Sequence, residues 1–171
     1  MAQTLTQSQT PSDTLPQKEG KYLTFALAHE EYGLEILKVR EIIGYIDVTA
    51  VPQTPHYIRG VINLRGQVIP VLDLRARFAM EVTDVTDQTC IIVVEINQTG
   101  HTFSTGIVVD RVQEVLDIVA QQIEEPPQFG HAVDTSFILG MGKVGNSVKI
   151  LLDIDRVLGA TDVTGLGQAA A

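Results

Sequence analysis

The 171-residue chain is 44% hydrophobic, which is enough to bury a core in one domain or in two small lobes. It carries 21 acidic and 12 basic residues, so its net charge of −9 opposes binding to nucleic acid or anionic lipid. No run approaches the roughly 20 apolar residues of a membrane span, and the N-terminus lacks the features of a secretory signal, so we expect a cytoplasmic protein without membrane insertion.

Residues 1–19 are rich in Thr, Gln, Ser and Pro and offer little apolar surface. Such a segment cannot offset the entropy lost on ordering, so we expect a disordered N-terminal tail. We also expect a flexible C-terminal tail over residues 160–171. A single domain over residues 20–159 should lie between the two tails.

Short β-type runs bounded by turn residues recur through this domain. They cover residues 22–28, 32–36, 61–64, 67–72, 90–96, 103–109, 136–139 and 148–152. Most gaps between them are too short for a crossover helix, which favours antiparallel hairpins. Residues 68–72 and 91–94 are apolar on both faces, which predicts strands covered on both sides, as in packed small barrels.

Three further residues give local predictions. Pro70 lacks an amide hydrogen, so its strand should be at an edge or a bulge there. Asp73 and Asp153 can each cap free backbone N–H groups, and they open predicted short helices over residues 73–78 and 153–158.

The chain repeats itself. Residues 33–42 align without a gap with residues 106–115, and the glycine, basic residue, valine, glutamate and final aliphatic residue all fall in register. Further along, Val71-Leu72-Asp73-Leu74 matches Leu151-Leu152-Asp153-Ile154 in the same order. The two matches predict a pair of similar lobes, with an interface or groove between them.

The candidates for catalytic or metal chemistry are weak. Gly140–Gly145 reads G-x-G-x-x-G, but a β-type run follows it instead of the helix that a dinucleotide site requires, which predicts a hairpin turn. Cys90 lies in a core-like apolar run. The histidines lack metal-ligand spacing, and adjacent glutamates on a strand point to opposite faces. The histidines concerned are His29, His56, His101 and His131. We therefore expect no enzymatic activity, no cofactor and no metal site.

Two charged residues allow either a binding role or a plain surface role. Arg65 lies at a tight turn between two apolar strands, where a side chain must project outward. Glu41 lies in the repeated segment, and Glu114 keeps the same chemistry in the second copy. Each could equally be a solvated surface charge.

Three segments, residues 31–42, 60–75 and 106–110, resemble the CheW family of chemotaxis coupling proteins. The block Asn63-Leu64-Arg65-Gly66 before an Ile-Pro-Val strand is specific, and the resemblance runs from about Lys21 to Leu158. It implies a mainly β fold of two five-stranded SH3-like β-barrel subdomains with short helices.

The resemblance also implies a function: a non-catalytic scaffold that couples the regulatory domain of the histidine kinase CheA to the cytoplasmic tip of methyl-accepting chemoreceptors. By matching position, it implies a receptor-binding set of Val39, Glu41, Arg65, Val112 and Val115. It implies a kinase-binding set of Ile42, Val48 and Gly60.

One departure from the family and two rival functions remain open. Residues 97–104 make a longer hairpin than the family pattern has. The first rival is an adaptor of a different chemosensory system, such as one for twitching motility. The second is a small enzyme that holds a nucleotide at Gly140–Gly145, which the missing helix disfavours.

Overall fold

The computed structural model of the chain describes residues 18–127 and 135–158. The expected tails lie outside these residues, apart from Lys18 and Glu19, and so does His131. The tails and the expected domain bounds of 20–159 stay predictions.

The described residues form eleven strands and two short α-helices. The strands are β1 (Gly20–Leu27), β2 (Glu30–Glu35), β3 (Val39–Gly44), β4 (Ile58–Leu64), β5 (Gln67–Asp73), β6 (Cys90–Gln98), β7 (His101–Val109), β8 (Arg111–Ile118), β9 (Ile123–Glu124), β10 (Ile138–Val144) and β11 (Ser147–Leu152). The helices are α1 (Leu74–Arg77) and α2 (Ile154–Val157), and 3-10 turns cover Ile36–Lys38 and Ala120–Gln122.

The strands form two sheets, and each sheet with its helix makes one lobe. Lobe 1 has the strand order β3-β6-β7-β5-β4, and its helix α1 follows β5. Lobe 2 has the strand order β8-β1-β2-β11-β10-β9, and its helix α2 follows β11. The chain therefore starts in lobe 2, crosses to lobe 1 between β2 and β3, and returns between β7 and β8. The mainly β fold of two lobes with short helices is confirmed, with β9 as a sixth, two-residue strand in lobe 2.

Two strand pairings are parallel, contrary to the expectation of antiparallel hairpins alone. β5 pairs with β7, and β11 pairs with β2. The partners are distant in sequence, which provides the long connection that parallel strands need. α1 and β6 lie between β5 and β7, whereas all of lobe 1 and then β8, β9 and β10 lie between β2 and β11. Short gaps between neighbouring runs could not reveal such pairings.

The core has three parts. A central cluster between the lobes joins Leu23 and Phe25 of lobe 2 to Ile92 and Val94 of lobe 1. Each lobe also has its own inner cluster: lobe 1 uses Ile62, Ile69, Val71, Ile91, Val93 and Val108, and lobe 2 uses Tyr22, Ile118 and Leu151. β6 thus faces one cluster with Ile91 and Val93 and the other with Ile92 and Val94, which confirms that its apolar run is covered on both sides. The same prediction for residues 68–72 is wrong at Val68, which is 62% exposed at the start of β5.

The internal repeat is visible in the pairing. Gly106 of β7 lies opposite Val71, and Gly33 of β2 lies opposite Leu151. A Cβ atom at either glycine would come within 3 Å of a branched side chain, so both copies need glycine for the close approach. Asp73 and Asp153 each accept a hydrogen bond at the start of their helix, as predicted.

Candidate functional site

The repeated segments lie where the chain crosses between the lobes. Residues 33–42 run from β2 of lobe 2 into β3 of lobe 1, and residues 106–115 run from β7 of lobe 1 into β8 of lobe 2. Each copy therefore ends on the strand at one end of a ladder, β3 or β8. These two end strands carry most of the residues assigned to binding.

The register of β3 sorts its side chains between two faces. Val39 lies opposite Val94 and Ile42 lies opposite Ile92, so both share the face of the central cluster. A bulge between Val39 and Glu41 shifts the alternation, and Glu41 lies opposite Val93 on the face of the lobe 1 inner cluster.

The register of β8 gives the same arrangement in lobe 2. Val112 lies opposite Phe25, and Val115 lies opposite Leu23, which are both members of the central cluster. Val112 packs against that cluster, as Val39 does from lobe 1. Two residues of the receptor-binding set, one from each lobe, therefore meet the same core.

We call Val39, Ile42, Val112 and Val115 the inter-lobe surface. On each strand, the residue nearer the crossover, Val39 or Val112, is partly buried against the central cluster. The other residue is exposed to solvent: Ile42 is 42% exposed and Val115 is 48% exposed. Leu37, in the 3-10 turn that precedes β3, is 93% exposed. Val39 and Val112 therefore pack against the shared core, while Ile42 and Val115 carry the same two strand faces out to solvent.

Glu41 and Arg65 contact each other directly. The Arg65 guanidinium group donates two hydrogen bonds to the Glu41 carboxylate, one of them with an Nη1–Oε1 distance of 3.1 Å. The hydrogen bond from Arg65 lowers the pKa of Glu41 and raises the pKa of Arg65. The Arg65 side chain remains 71% exposed, so its other donor positions can reach a partner.

The turn that carries Arg65 has an unusual backbone. Arg65 has φ of 51° and Gly66 has φ of 86°, as a two-residue hairpin of type I′ requires. In lobe 2, Gly145 occupies the place equivalent to Arg65, with φ of 60°. An arginine is disfavoured at positive φ relative to glycine, so Arg65 carries a conformational cost that Gly145 avoids.

The kinase-binding set is divided in the structure. Val48 packs against the lobe 1 inner cluster, and Gly60 is buried on β4 beside Thr49, the neighbour of Val48. Thr49 and Val61 exchange backbone hydrogen bonds of 2.9 Å. Ile42 instead lies on the face of β3 that carries Val39. The kinase-binding role of all three residues stays a prediction.

The candidates for enzyme chemistry have structural explanations. Gly140 and Gly142 lie within β10, Gly145 forms its turn, and β11 follows. The predicted hairpin is therefore confirmed, but its turn is shorter than predicted, because β10 continues through Val144. Glu31 is paired with Lys149, and Glu124 is paired with Lys143. Within residues 18–127 and 135–158, no group of three or more potential metal ligands is present. No helix in the same ranges is long and apolar enough to cross a bilayer.

The sequence alone did not predict β3 and β8 as strands. Both are end strands with many exposed residues, so they lack the apolar run that marked the other strands. The repeat was the one signal for them, because it aligned residues 39–42 with residues 112–115. Membership of Ile42 in the inter-lobe surface follows from the same alignment, since Val115 is its counterpart.

Comparison with known proteins gives consistent matches. The sequence profile of the CheW-like domain family matches residues 21–162. The chain is 39% identical over 170 residues to the chemotaxis protein CheW of Klebsiella aerogenes, covering 99% of this chain and 98% of that protein. It is 30% identical over 149 residues to the probable chemotaxis protein CheW of Rhizobium etli, covering 87% of this chain and 94% of that protein.

A solved structure agrees with these matches. The crystal structure of the scaffolding protein TtCheW from Thermoanaerobacter tengcongensis superposes with a TM-score of 0.73 at 36% identity. The superposition covers 84% of this chain and 95% of that one. With the two-lobed fold, the profile match and the near full-length relative in agreement, the chain belongs to the CheW family of chemotaxis scaffold proteins.

Proposed function

We propose that this protein is a non-catalytic cytoplasmic scaffold that couples the histidine kinase CheA to methyl-accepting chemoreceptors and is recruited to their arrays. The observation that supports this most directly is the inter-lobe surface. It presents aliphatic side chains from two lobes beside one core, and the Glu41–Arg65 pair lies on the opposite face of β3, at the end of the lobe 1 ladder. An apolar centre with a polar rim is the usual anatomy of a protein interface.

The receptors that CheW-family proteins bind have a helical hairpin at their cytoplasmic tip. A helix docks into a groove through apolar residues on one of its faces, and the aliphatic inter-lobe surface offers a matching contact. Glu41 and Arg65 would then orient the helix through polar contacts at the rim. Because the Arg65 side chain is exposed, it can bind a receptor carboxylate while keeping or releasing Glu41.

The kinase contact is assigned to lobe 1 through Ile42, Val48 and Gly60. Val48 and Gly60 lie together beside the Thr49–Val61 bridge, so this part of lobe 1 has a fixed backbone. Val48 and Gly60 lie apart from the inter-lobe surface, to which Ile42 belongs, so a kinase contact centred on these two residues would allow kinase and receptor to bind at the same time. That simultaneous binding is what a coupling scaffold requires.

The test is a pair of titrations with the cognate partners. The protein is titrated with the isolated regulatory domain of CheA, then with a receptor cytoplasmic fragment that contains the hairpin tip, and finally with both. Saturable binding to each, and binding to the second partner in the presence of the first, would support the proposal. If the protein binds neither folded partner, the proposal fails; binding only to partners of another chemosensory system would favour the rival adaptor.

A further inference from the structure

Two charged contacts tie the lobes together, one at each crossover. We call them the lobe clamps: the first joins Arg75 to Asp110, and the second joins Lys38 to Asp155. Both are partly buried, with side-chain exposures of 15% and 25% in the first clamp and 27% and 29% in the second. Neither clamp belongs to the receptor-binding or kinase-binding set.

The first clamp links α1 of lobe 1 to the β1–β2 turn of lobe 2. Arg75 donates to both carboxylate oxygens of Asp110, at 2.8 Å from Nε and 2.5 Å from Nη2. Asp110 also accepts the Ala28 N–H at 2.8 Å and donates its own N–H to Ala26 at 3.1 Å. Asp110 thus binds lobe 2 through the backbone and lobe 1 through a two-point ion pair.

The second clamp links α2 of lobe 2 to lobe 1. Lys38, in the turn between β2 and β3, donates to Asp155 at 2.7 Å. The other carboxylate oxygen of Asp155 accepts the backbone N–H of Asn97 on β6 at 3.1 Å. Asp155 therefore holds the crossover and a lobe 1 strand at once.

The helix residues of the two clamps occupy equivalent places in the repeat but carry opposite charges, whereas the crossover residues differ by one position: Asp110 aligns with Leu37, and Lys38 aligns with Arg111. Arg75 and Asp155 are both the second residue after the aspartate that caps their helix. Ala28 and Asn97 are also equivalent. Leu23 pairs with Leu34, and Ile92 pairs with Ile107, which aligns with Leu34 in the repeat; Ala28 and Asn97 each lie five residues after Leu23 and Ile92. The carboxylate is on the crossover in the first clamp and on the helix in the second. Different residues thus make the same connection in both copies.

We propose that the two clamps set the relative orientation of the lobes and so hold the inter-lobe surface in the geometry that binds its partner; this inference rests on the proposed function. Burial of the central cluster favours contact between the lobes but has no preferred direction. Charge-assisted hydrogen bonds are directional and can fix the angle. Lys38 directly precedes Val39, and Asp110 comes two residues before Val112, so each clamp anchors the start of one end strand.

The orientation can be measured without any partner. Spin labels at Gln67→Cys and Ser147→Cys, in a Cys90→Ser background, would place one label at the exposed start of β5 in lobe 1 and one at that of β11 in lobe 2. Asp110→Asn and Asp155→Asn should each shift or broaden the distance distribution measured by double electron–electron resonance. Asp117→Asn is the matched control, because its ion pair with Lys21 lies within lobe 2.

The binding readout separates orientation from general loss of structure. Asp110→Asn should weaken binding to a receptor hairpin-tip fragment by about fivefold, and binding to the CheA regulatory domain by less than about twofold. Arg75→Asp alone should be worse, because two carboxylates then face each other. The double variant Arg75→Asp, Asp110→Leu copies the second clamp, because the new carboxylate takes the place of Asp155 and Arg111 takes the place of Lys38. It should restore the distance between the spin labels and the affinity for the receptor fragment.

The outcomes are distinct. Distance distributions that stay unchanged in both Asp110→Asn and Asp155→Asn would overturn the inference, as would equal losses of receptor and kinase-domain affinity. If the unaltered protein does not bind the receptor fragment, the proposed function fails. The distance measurement still decides whether the clamps orient the lobes.

Discussion

Arg65, at the tip of the β4–β5 hairpin, forms a two-point ion pair with Glu41 on β3. β3 and β4 are the two end strands of the lobe 1 ladder, so this pair joins side chains across the opening of the sheet. The pair is exposed and adds little to stability, as is usual for surface ion pairs. Its position on the end strand β3 leaves it accessible to a binding partner.

Arg65→Ala should abolish most receptor-dependent control of CheA activity while the melting temperature stays within a few degrees of the unaltered protein. The reason is that the side chain is 71% exposed and its ion pair with Glu41 is a surface pair. Kinase assays with receptor-containing membranes, together with thermal unfolding, provide the measurement. Lys143→Ala is the matched control, because Lys143 is an exposed, ion-paired residue of the equivalent hairpin in lobe 2.

Arg65→Gly separates function from folding more sharply. It copies Gly145 of lobe 2 and relieves the positive φ of Arg65, so the variant should be at least as stable as the unaltered protein. It should nevertheless lose receptor-dependent kinase control. Full control in this variant would show that the Arg65 side chain is dispensable.

A carboxylate placed on the inter-lobe surface should prevent receptor binding. Ile42→Glu and Val115→Glu put a charge where an apolar partner surface is expected, and each should reduce affinity for the receptor tip by at least about tenfold. Both positions are more than 40% exposed, so unfolding should change little. Val148→Glu is the control, since Val148 is 49% exposed on β11. Equal effects of all three variants would contradict the proposed surface.

Gly60→Ala should destabilise the fold by roughly 3 kcal/mol or more. A Cβ atom there would lie 1.9 Å from the Thr49 carbonyl oxygen, and the φ of 143° is unfavourable for alanine. Gly44→Ala, with nothing within 4 Å of its Cβ atom, should change stability by no more than about 0.5 kcal/mol. Denaturant unfolding of both variants tests this. If Gly60→Ala is destabilised and also binds the kinase weakly, the weak binding reflects damage to lobe 1. Weak kinase binding by a variant with an intact fold would instead support a direct contact at Gly60.

Lys149 of lobe 2 corresponds to Ile69 of lobe 1, and both residues are buried. Lys149 is paired with Glu31, whereas Ile69 is apolar. Lys149→Ile should cost less than about 1 kcal/mol or even stabilise the protein, because an apolar residue avoids desolvating a charge. Glu31→Ala, which leaves Lys149 without that partner, should cost about 1–3 kcal/mol. Urea unfolding decides, and the reverse order of stabilities would contradict the argument.

The first lobe clamp predicts a pH dependence of stability. Burial disfavours the charged form of Asp110, but hydrogen bonds from Arg75 and the Ala28 N–H outweigh it and lower the pKa of Asp110. Its contribution is therefore complete above the unfolded pKa of about 3.9 and is lost as the pH falls through the lower folded value.

Unfolding of the unaltered protein and of Asp110→Asn across this range provides the measurement. The variant should be less stable by about 1–2 kcal/mol at neutral pH, and the difference should shrink in acid. Glu31, whose pKa is also lowered, titrates in both proteins and cancels in the comparison. A difference that does not vary with pH would contradict the role of the ionised carboxylate.

Much of the fold could be predicted from the sequence because its strongest signals are local. Apolar runs marked the covered strands, and Asp73 and Asp153 marked both helix starts. The place of Pro70 shows the limit. An edge or a bulge was expected there, and β5 has an edge only locally: the ladder to β7 begins at Val71, so Pro70 is paired with β4 alone, although β5 as a whole lies between β4 and β7.

The candidate site was predictable only in part. Repeat and resemblance together selected residues on β3 and β8, but neither indicated that Glu41 and Arg65 pair with each other. Nor could they reveal the lobe clamps, since Arg75 and Asp110 are 35 residues apart and their contact depends on how the lobes pack. Contacts between distant segments follow from the assembled fold and not from local pattern.

The most direct test of the coupling function measures CheA activity in receptor-containing membranes, with and without this protein and with an attractant added. The account predicts that kinase activity rises only when the protein is present, that attractant then suppresses it, and that Arg65→Gly fails to support this control. Receptor-controlled kinase activity in the absence of the protein, or no change when the protein is added, would contradict the account.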